Sequence, residues 1–280
     1  MNVIACAPGR YGDILWAMPT VRAIAEGTNV PVRLILPHKY GSLANVLLEQ
    51  PYLSDVIVDH SWAIEETAPI TPREPLGFNT WTYSADVHVR LGYRGWPRFA
   101  LPLEVYRSVQ EEHPNIPLAP LDLERPWIAS PPMNDEEQSV FSSDVVLGFT
   151  DEWLELKVGL LALLERQRLG YLKQLCALGS RWSNETGELE YNWDGVVMSI
   201  ATAPVFLGCC SALHVLACAM GKPCLIMEPN PQRHNPIFWP FGMDGPRVTC
   251  VNGNDGKPTH DARHVGDALR AALERVHATR

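Results

Sequence analysis

The sequence predicts an α/β protein of two similar domains, each built on a parallel sheet, facing each other across a central cleft. Short apolar runs alternate with helical periodicity over the first 60 residues, which indicates βαβ units. The same alternation restarts near residue 144, and residues 203–231 read as strand, tight turn, helix and strand. We expect domains at residues 1–138 and 139–280, with the last helix able to pack back on the N-terminal domain.

Composition narrows the class of protein. The 280 residues are long enough to bury a core in one large domain or two smaller ones, and the formal charge of −9 argues against non-specific binding to nucleic acid. The first residues lack a basic leader region and no apolar run is long enough to span a bilayer, which favours a cytoplasmic protein. Seven cysteines, mostly in apolar patterns, are expected to be reduced, and their spacing favours no structural metal.

The first domain begins with a strand at residues 2–7 and a glycine-containing turn. Apolar residues at helical spacing then predict a helix over residues 13–26, which puts Asp13 at the mouth of the first βα turn. A strand at 32–36, a helix at 40–49 and a strand at 56–58 follow. This alternation at short intervals predicts a doubly wound parallel sheet.

The regular alternation of strand and helix patterns then ends. Residues 63–102 are broken by prolines and rich in aromatics and arginines, so we expect an irregular insertion that either covers the sheet edge or binds an acceptor. A helix is expected at 103–111. Residues 114–132 hold six prolines and precede an acidic turn at 134–137, which predicts a linker near 130–142.

The second domain is expected to contain a strand at 144–149 and helices at 153–167 and 193–202, while periodicity does not resolve residues 172–187. A strand at 205–207, a small-residue turn at 208–211, an apolar helix ending at Gly221 and a strand at 224–227 follow. The amide groups at the start of that apolar helix favour a phosphate. The last helix is expected at 262–277, capped by Asp261.

Two segments of the chain together carry a family resemblance. The first is GRYGDILWAMPTVRAI at residues 9–24, with the runs LEQPY at 48–52 and DVI at 55–57. The second contains Ser211, His214, Ala217 and the Gly221-Lys222-Pro223 run. They resemble the N-terminal and the donor-binding signatures of the ADP-heptose:lipopolysaccharide heptosyltransferases. The two matches stand in the same order as in the family.

The resemblance implies a GT-B fold, with two Rossmann-like domains that bind the acceptor and the nucleotide sugar respectively. It implies an inverting, metal-independent hexosyl- or heptosyltransferase that needs no cofactor beyond its nucleotide-sugar co-substrate. Asp13 matches the general base, although a residue at this place can also simply cap the first helix. Residues expected on the acceptor side are Arg10, Tyr11, Gly12, Arg90 and Arg94.

On the donor side, Lys157 resembles the lysine that neutralises the diphosphate. Ser211 is either a helix cap, a phosphate ligand or both, and His214 is either a donor ligand or a structural residue. Glu228 either holds ribose hydroxyls or braces a rigid loop. The family usually has Asp-Ser-Gly or Asp-Thr-Gly where this chain has Cys209-Cys210-Ser211, and the lost aspartate leaves the donor base and sugar open.

Three functions remain open on the sequence. The first is a glycosyltransferase acting on a glycan or a lipopolysaccharide core. The second is a DNA glycosyltransferase modifying a hydroxymethylated base, because the arginines and aromatics between residues 81 and 107 suit contacts to phosphates and a displaced base. The third is a non-catalytic nucleotide-binding module, which is suggested because Cys209 stands where the family usually has an aspartate.

Overall fold

The computed structural model divides the chain into two compact units, Met1–Ala129 and Ser130–Arg280. Each unit contains a parallel sheet whose strands connect through helices, which confirms the predicted α/β class. The structure describes residues 1–61, 83–92, 100–148, 192–209, 211–227, 248–252, 254–255, 259 and 261–278, and only the backbone of 171–174, 181–182 and 189–190.

The sheet of the first unit has the order β3-β2-β1-β4, and all of its neighbouring strands are parallel. Its strands are β1 (Val3–Cys6), β2 (Val32–Pro37), β3 (Leu53–Asp59) and β4 (Val87–Arg90). Its helices are α1 (Tyr11–Thr28), a 3₁₀ helix (His38–Leu43) that leads into α2 (Ala44–Leu48), and α3 (Leu101–Glu112). The strands and helices predicted before residue 60 are therefore confirmed.

The prediction of an irregular insertion is wrong for β4. This strand pairs with β1 along its whole length, from Val3 with Val87 to Cys6 with Arg90, and Val89 is fully buried. Four residues that include a histidine and an arginine are too short and too polar to show a strand period in the sequence. The insertion therefore contributes an edge strand to the first sheet.

Helix α1 contains a proline that the rest of the unit accommodates. Pro19 has no backbone N–H, so it cannot donate the helical bond to the carbonyl of Leu15. The indole Nε1 of Trp127 donates to that carbonyl instead, at 3.1 Å. A side chain more than a hundred residues away thus satisfies the carbonyl, and it is fully buried beside Trp16.

The proline-rich residues 113–129 lie on α1. Arg22 of that helix is buried and donates from Nη1 to the carbonyl of Pro126 at 2.8 Å. A Cβ atom added at Gly27 would lie 2.3 Å from the carbonyl oxygen of Pro117, so the segment approaches the helix too closely for any side chain there. This stretch gives no periodic signal, yet three of its residues, Ile116, Trp127 and Ile128, are buried in the core of the first unit.

The acidic turn predicted at residues 134–137 is the first turn of helix α4 (Asp135–Phe141). Asn134 accepts a hydrogen bond from the backbone N–H of Glu137 at 2.9 Å, and the Glu137 carboxylate accepts one from the backbone of Asn134 at 2.9 Å. This reciprocal capping pattern explains why an acidic run begins a helix rather than a loop.

The sheet of the second unit has the order β11-β10-β9-β5-β6 and is also parallel. Its strands are β5 (Val145–Gly148), β6 (Tyr171–Gln174), β9 (Val205–Gly208), β10 (Cys224–Ile226) and β11 (Val248–Cys250). Two short strands, β7 (Arg181–Trp182) and β8 (Leu189–Glu190), form a separate antiparallel pair. Its helices include α5 (Trp193–Thr202), α6 (Ala212–Ala219) and α7 (Ala262–Ala278). The helix predicted at 153–167 lies outside the described residues.

Helix α7 closes the core of the second unit. Its buried residues Val265, Leu269 and Leu273 belong to one apolar cluster with residues of β5, β9 and β10. Asp261 accepts from the backbone N–H of Arg263 at 2.9 Å, which confirms the predicted cap. No helix in the described part of the chain is long and apolar enough to cross a membrane.

Helix α6 ends in a Schellman motif. Gly221 has a φ of 75°, its N–H donates to the carbonyl of Cys218 at 3.0 Å, and the N–H of Lys222 donates to Ala217 at 2.9 Å. The Lys222 ammonium donates to the carbonyl of Ala201 at 2.6 Å, near the C-terminus of α5. Gly221 therefore ends α6 and Lys222 caps the C-terminus of α5, so two residues of the Gly-Lys-Pro run have structural roles.

Candidate functional site

The first βα turn joins β1 to α1 and positions Asp13. Gly9 adopts a φ of 109°, which brings the chain from the strand into the helix. Asp13 is the third residue of α1, and its Oδ2 accepts a hydrogen bond from the backbone N–H of Arg10 at 3.0 Å. The carboxylate therefore caps the helix with one oxygen, which leaves the capping and the base interpretations compatible.

Apolar groups surround Asp13. A small cavity beside it is lined by the following residues of the same unit: Pro8, Trp16, Ala17, Leu91, Gly92, Leu101 and Val105. Burial raises the pKa of Asp13 to about 6, although the Arg10 N–H and the Arg10 charge lower it in part. A carboxyl group with this pKa is ionised at neutral pH and is a stronger base than an exposed aspartate.

The other residues expected on the acceptor side are placed differently from one another. Arg10 is exposed at the start of α1, and Gly12 is half-buried. Tyr11 is buried, with its hydroxyl 2.8 Å from Ser42 Oγ. Arg90 ends β4 directly beside the end of β1, so the structure brings it to the same sheet edge as the Asp13 turn. Arg94 lies outside the described residues.

A polar cluster at this sheet edge was missed by sequence reasoning. The carboxylate of Asp59 accepts from Ser61 N at 2.7 Å and Ser61 Oγ at 2.5 Å, and from the hydroxyl of Tyr83 at 2.8 Å. The rings of His38 and His60 stack with their centroids 4.0 Å apart and their planes inclined by 35°. The sequence signal was weak, since it consists of polar residues directly after two predicted strands.

In the second unit, the βα turn between β9 and α6 positions Ser211 and His214. We call it the second βα turn. Ser211 is the N-cap residue in extended conformation, and Nδ1 of the buried His214 lies 3.0 Å from its backbone N and 2.8 Å from its carbonyl oxygen. These two contacts to one backbone residue hold the imidazole against the start of the helix.

The hydroxyl of Ser211 differs from the usual N-cap. Its Oγ is buried and makes no hydrogen bond to any residue that the structure describes. A buried hydroxyl without a partner costs free energy, and such a group is often satisfied by a ligand or a water molecule. The start of α6 therefore combines the backbone amides of a helix N-terminus with a buried hydroxyl that has no partner among the described residues.

Cys209 turns into the protein. It is 2% exposed, and both its amide and its thiol approach the carbonyl of Gly148, at 3.3 and 3.8 Å. Gly208 pairs with Gly148, and a Cβ added at Gly208 would lie 2.3 Å from that carbonyl oxygen. The strand ends under the second turn are therefore in close backbone contact, which keeps side chains away from this edge.

Three residues expected on the donor side, Lys157, Cys210 and Glu228, lie outside the described residues. Among the residues that are described, no three His, Cys, Asp or Glu side chains are grouped so that they could hold a metal ion. The described donor side therefore consists of the α6 N-terminus with Ser211 and His214.

Solved structures are similar to this chain along almost its whole length. E. coli ADP-heptose lipopolysaccharide heptosyltransferase II has a TM-score of 0.60 and 14% identity, over 98% of this chain and 99% of that chain. The family 9 glycosyl transferase of Veillonella parvula has a TM-score of 0.65 and 10% identity, over 98% and 97%. E. coli heptosyltransferase WaaC with ADP has a TM-score of 0.58 and 12% identity, over 99% of both chains. No family model and no curated protein matches the sequence. The similarity confirms the heptosyltransferase-like fold.

Proposed function

We propose that this protein is a glycosyltransferase that moves a sugar from a nucleotide sugar to an acceptor hydroxyl, with inversion and without a metal ion. The observation that carries the proposal is Asp13, a carboxylate whose pKa is raised to about 6 at the mouth of the first βα turn. It stands within a fold shared with structures of heptosyltransferases. A group of this kind at this place suits the role of general base.

The chemistry assigned to Asp13 is proton transfer during a single displacement. Its carboxylate accepts the proton of the acceptor hydroxyl as the hydroxyl oxygen attacks the anomeric carbon. The new carbon–oxygen bond forms as the bond between that carbon and the diphosphate breaks, so the anomeric configuration inverts. The nucleoside diphosphate leaves with the electron pair of the broken bond.

The donor diphosphate is assigned to the start of α6. A helix N-terminus carries partial positive charge, and the first turn of α6 contains no acidic residue that would compensate it. Ser211 Oγ offers a hydrogen bond to a phosphate oxygen, and backbone amides with basic side chains take the place of a metal in stabilising the departing diphosphate. Lys157, Cys209, Cys210 and Glu228 remain predicted donor contacts, and WaaC, a similar structure, is described with ADP.

We propose that the acceptor is a glycan, such as a lipopolysaccharide core, and that the reaction takes place in the cytoplasm. Transfer to modified DNA is less favoured because the chain carries a formal charge of −9, which opposes approach to a polyanion. Arg10, Tyr11, Gly12, Arg90 and Arg94 remain predicted acceptor contacts.

The test is a donor panel of ADP-, UDP- and GDP-sugars, ADP-heptose among them, with glycan acceptors. Released nucleoside diphosphate and product mass are measured with and without EDTA, and NMR of the product reports the anomeric configuration. Transfer that survives EDTA and inverts the configuration is expected. Nucleotide binding without transfer or donor hydrolysis would favour the non-catalytic module, and no binding at all would refute both.

A further inference from the structure

A large cavity of the first unit lies at the edge of its sheet opposite the Asp13 turn. Its volume is about 570 Å³, which is within the range of ligand pockets. It is lined by residues 29–31, which lead from α1 into β2, and by residues 50–52, which lead from α2 into β3. Because all four strands are parallel, this is the amino edge of the sheet, whereas Asp13 lies at the carboxyl edge. The cavity is therefore separate from the proposed reaction site.

The buried side chains that line this cavity leave few polar atoms for a ligand. The hydroxyl of Tyr52 donates to the carbonyl of Trp127. The side chain of Gln50 donates to the carbonyl of Val46 at 2.8 Å and accepts from the N–H of Ala129 at 2.7 Å. Three exposed prolines also line the cavity: Pro31, Pro51 and Pro126. This lining suits an apolar body better than a sugar or a polar chain.

Arg22 brings a positive charge to the cavity. It is 5% exposed, and its guanidinium donates to backbone carbonyls only, those of Pro126 at 2.8 Å, Arg125 at 3.3 Å and Asp122. No carboxylate in the described part of the chain forms an ion pair with it, and its Nε–H makes no hydrogen bond there. A buried guanidinium bound only by neutral carbonyls keeps its full charge, which an anion would stabilise.

Arg125 supplies a second guanidinium at the same cavity. It is exposed and binds the carboxylate of Glu26, while the carboxylate of Asp122 lies 4.0 Å from its Nε. Burial lowers the pKa of Arg22, the charge of Arg125 lowers it further, and Glu26 and Asp122 raise it in part. The two arginines are therefore close enough to repel each other, and an anion bound between them relieves that repulsion.

We propose that this cavity binds an acyl carboxylate, with the carboxylate between Arg22 and Arg125 and the acyl chain against Tyr52 and Trp127. The planar fork of a guanidinium matches the two oxygens of a carboxylate. The site is additional to the two βα turns, and its occupation does not depend on the transferase reaction.

The test compares ligands that differ only in one part. Decanoate, 1-decanol and acetate are titrated into the full-length protein by ligand-observed NMR, without donor and below the concentration at which decanoate forms micelles. Decanoate is expected to bind about tenfold more tightly than decanol, because only decanoate makes charge-assisted hydrogen bonds. Acetate lacks the apolar body and is expected to bind more weakly than either.

Variants locate the two parts of the ligand. Arg125→Gln is expected to weaken decanoate binding about tenfold, and Glu26→Gln to strengthen it several-fold, because Glu26 competes for Arg125. Neither variant should change the affinity for decanol. Val30→Trp fills the cavity and should abolish binding of both ligands. Arg107→Gln, at an exposed arginine of α3 in the same unit, is the matched control and should bind like the wild type.

Three results would overturn the proposal. They are no decanoate binding by the wild-type protein, equal affinities for decanoate and decanol, and full decanoate binding by Val30→Trp. Thermal unfolding of each variant, followed by circular dichroism, shows that a lost signal reflects the cavity and not an unfolded chain. Since donor and acceptor are absent from these titrations, the outcome is independent of the test of transferase activity.

Discussion

The two βα turns that begin α1 and α6 are built alike and differ in one side chain. In each, the third helical residue reaches back to the backbone N–H of the N-cap residue over 3.0 Å, from Asp13 to Arg10 and from His214 to Ser211. The first turn uses a carboxylate and the second an imidazole. The same local geometry therefore has an acidic residue in one unit and none in the other.

We expect that difference to suit the two turns to different partners. The N-terminus of a helix is equivalent to about half a positive charge, and Asp13 compensates it within the protein. Under the proposed function, the first turn therefore binds a neutral hydroxyl whose proton Asp13 takes. The turn before α6 has no acidic residue and contains the buried Ser211 hydroxyl, so we expect it to bind the anionic ligand.

The largest expected effect comes from removing the charge at the first turn. Asp13→Asn keeps an oxygen for the Arg10 N–H but cannot accept a proton, so transfer should fall by about 10²- to 10⁴-fold. Binding of the nucleoside diphosphate whose sugar the donor panel identifies as the substrate, measured by calorimetry, should be unchanged because the turn before α6 is intact. Asp267→Asn, on the exposed face of α7, is the control and should retain full activity. An active Asp13→Asn protein would show that this turn is only a helix cap.

The same substitution should stabilise the fold. The pKa of Asp13 is raised from 3.8 to about 6, so ionisation opposes folding, by at most about 3 kcal/mol. The wild-type protein should therefore lose stability relative to Asp13→Asn as the pH rises from 4 through 6, and the two should converge below pH 4. Urea unfolding at pH 4, 5, 6 and 7 measures the difference. A difference that is constant over this range would contradict the raised pKa.

The raised pKa also predicts the pH dependence of the reaction. The base must be ionised, so kcat/KM should fall about tenfold per pH unit below pH 6 and level off above it. Initial rates between pH 4.5 and 8 at limiting acceptor test this, and the affinity for the nucleoside diphosphate of the active donor is measured at each pH to separate effects on donor binding. A plateau that extends down to pH 4.5 would place the base elsewhere.

The smallest effect is expected at the second turn. Ser211→Ala removes a hydroxyl that makes no hydrogen bond within the described residues, so the free energy of unfolding should change by less than about 0.5 kcal/mol. ADP affinity should fall about tenfold if that hydroxyl binds phosphate. Ser42→Ala is the matched control, because it removes a hydroxyl that pairs with Tyr11 in the first unit. The control should lose stability and keep its ADP affinity.

The sequence predicted elements whose apolar residues repeat regularly. The helix starting near Asp13 and the helix from Trp193 to Thr202 both have such a period, and both are found. Strand β4 has only four residues, and its pairing partner β1 is some eighty residues away, so local periodicity carries no trace of it. Long-range pairing of short strands is a property of the folded chain.

For the candidate site too, local sequence patterns predicted some residues, whereas contacts between distant residues could not be predicted. Asp13 follows a strand and a glycine turn, which local patterns reveal. The bond between His214 and Ser211 was not visible, because capping patterns normally place Glu or Gln at the third helical residue. The stack of His38 on His60 joins the start of the 3₁₀ helix after β2 to the residue after β3, and only the folded sheet brings these together, so the cluster could not be predicted from the sequence.

The attachment of the proline-rich segment to α1 has a mechanical consequence. The chain leaves the first unit at Ala129, whose N–H donates to Gln50 Oε1 at 2.7 Å, and behind it lie the bonds of Trp127 to Leu15 and of Ala119 to Ala23. A pulling force applied at residue 130 would first load the bond to Gln50, between α2 and β3, and then the bonds of Trp127 and Ala119 to α1. We therefore expect the exit of the first unit to resist extension, because α1 and the Gln50 side chain bear the force rather than the sheet edge that carries Asp13.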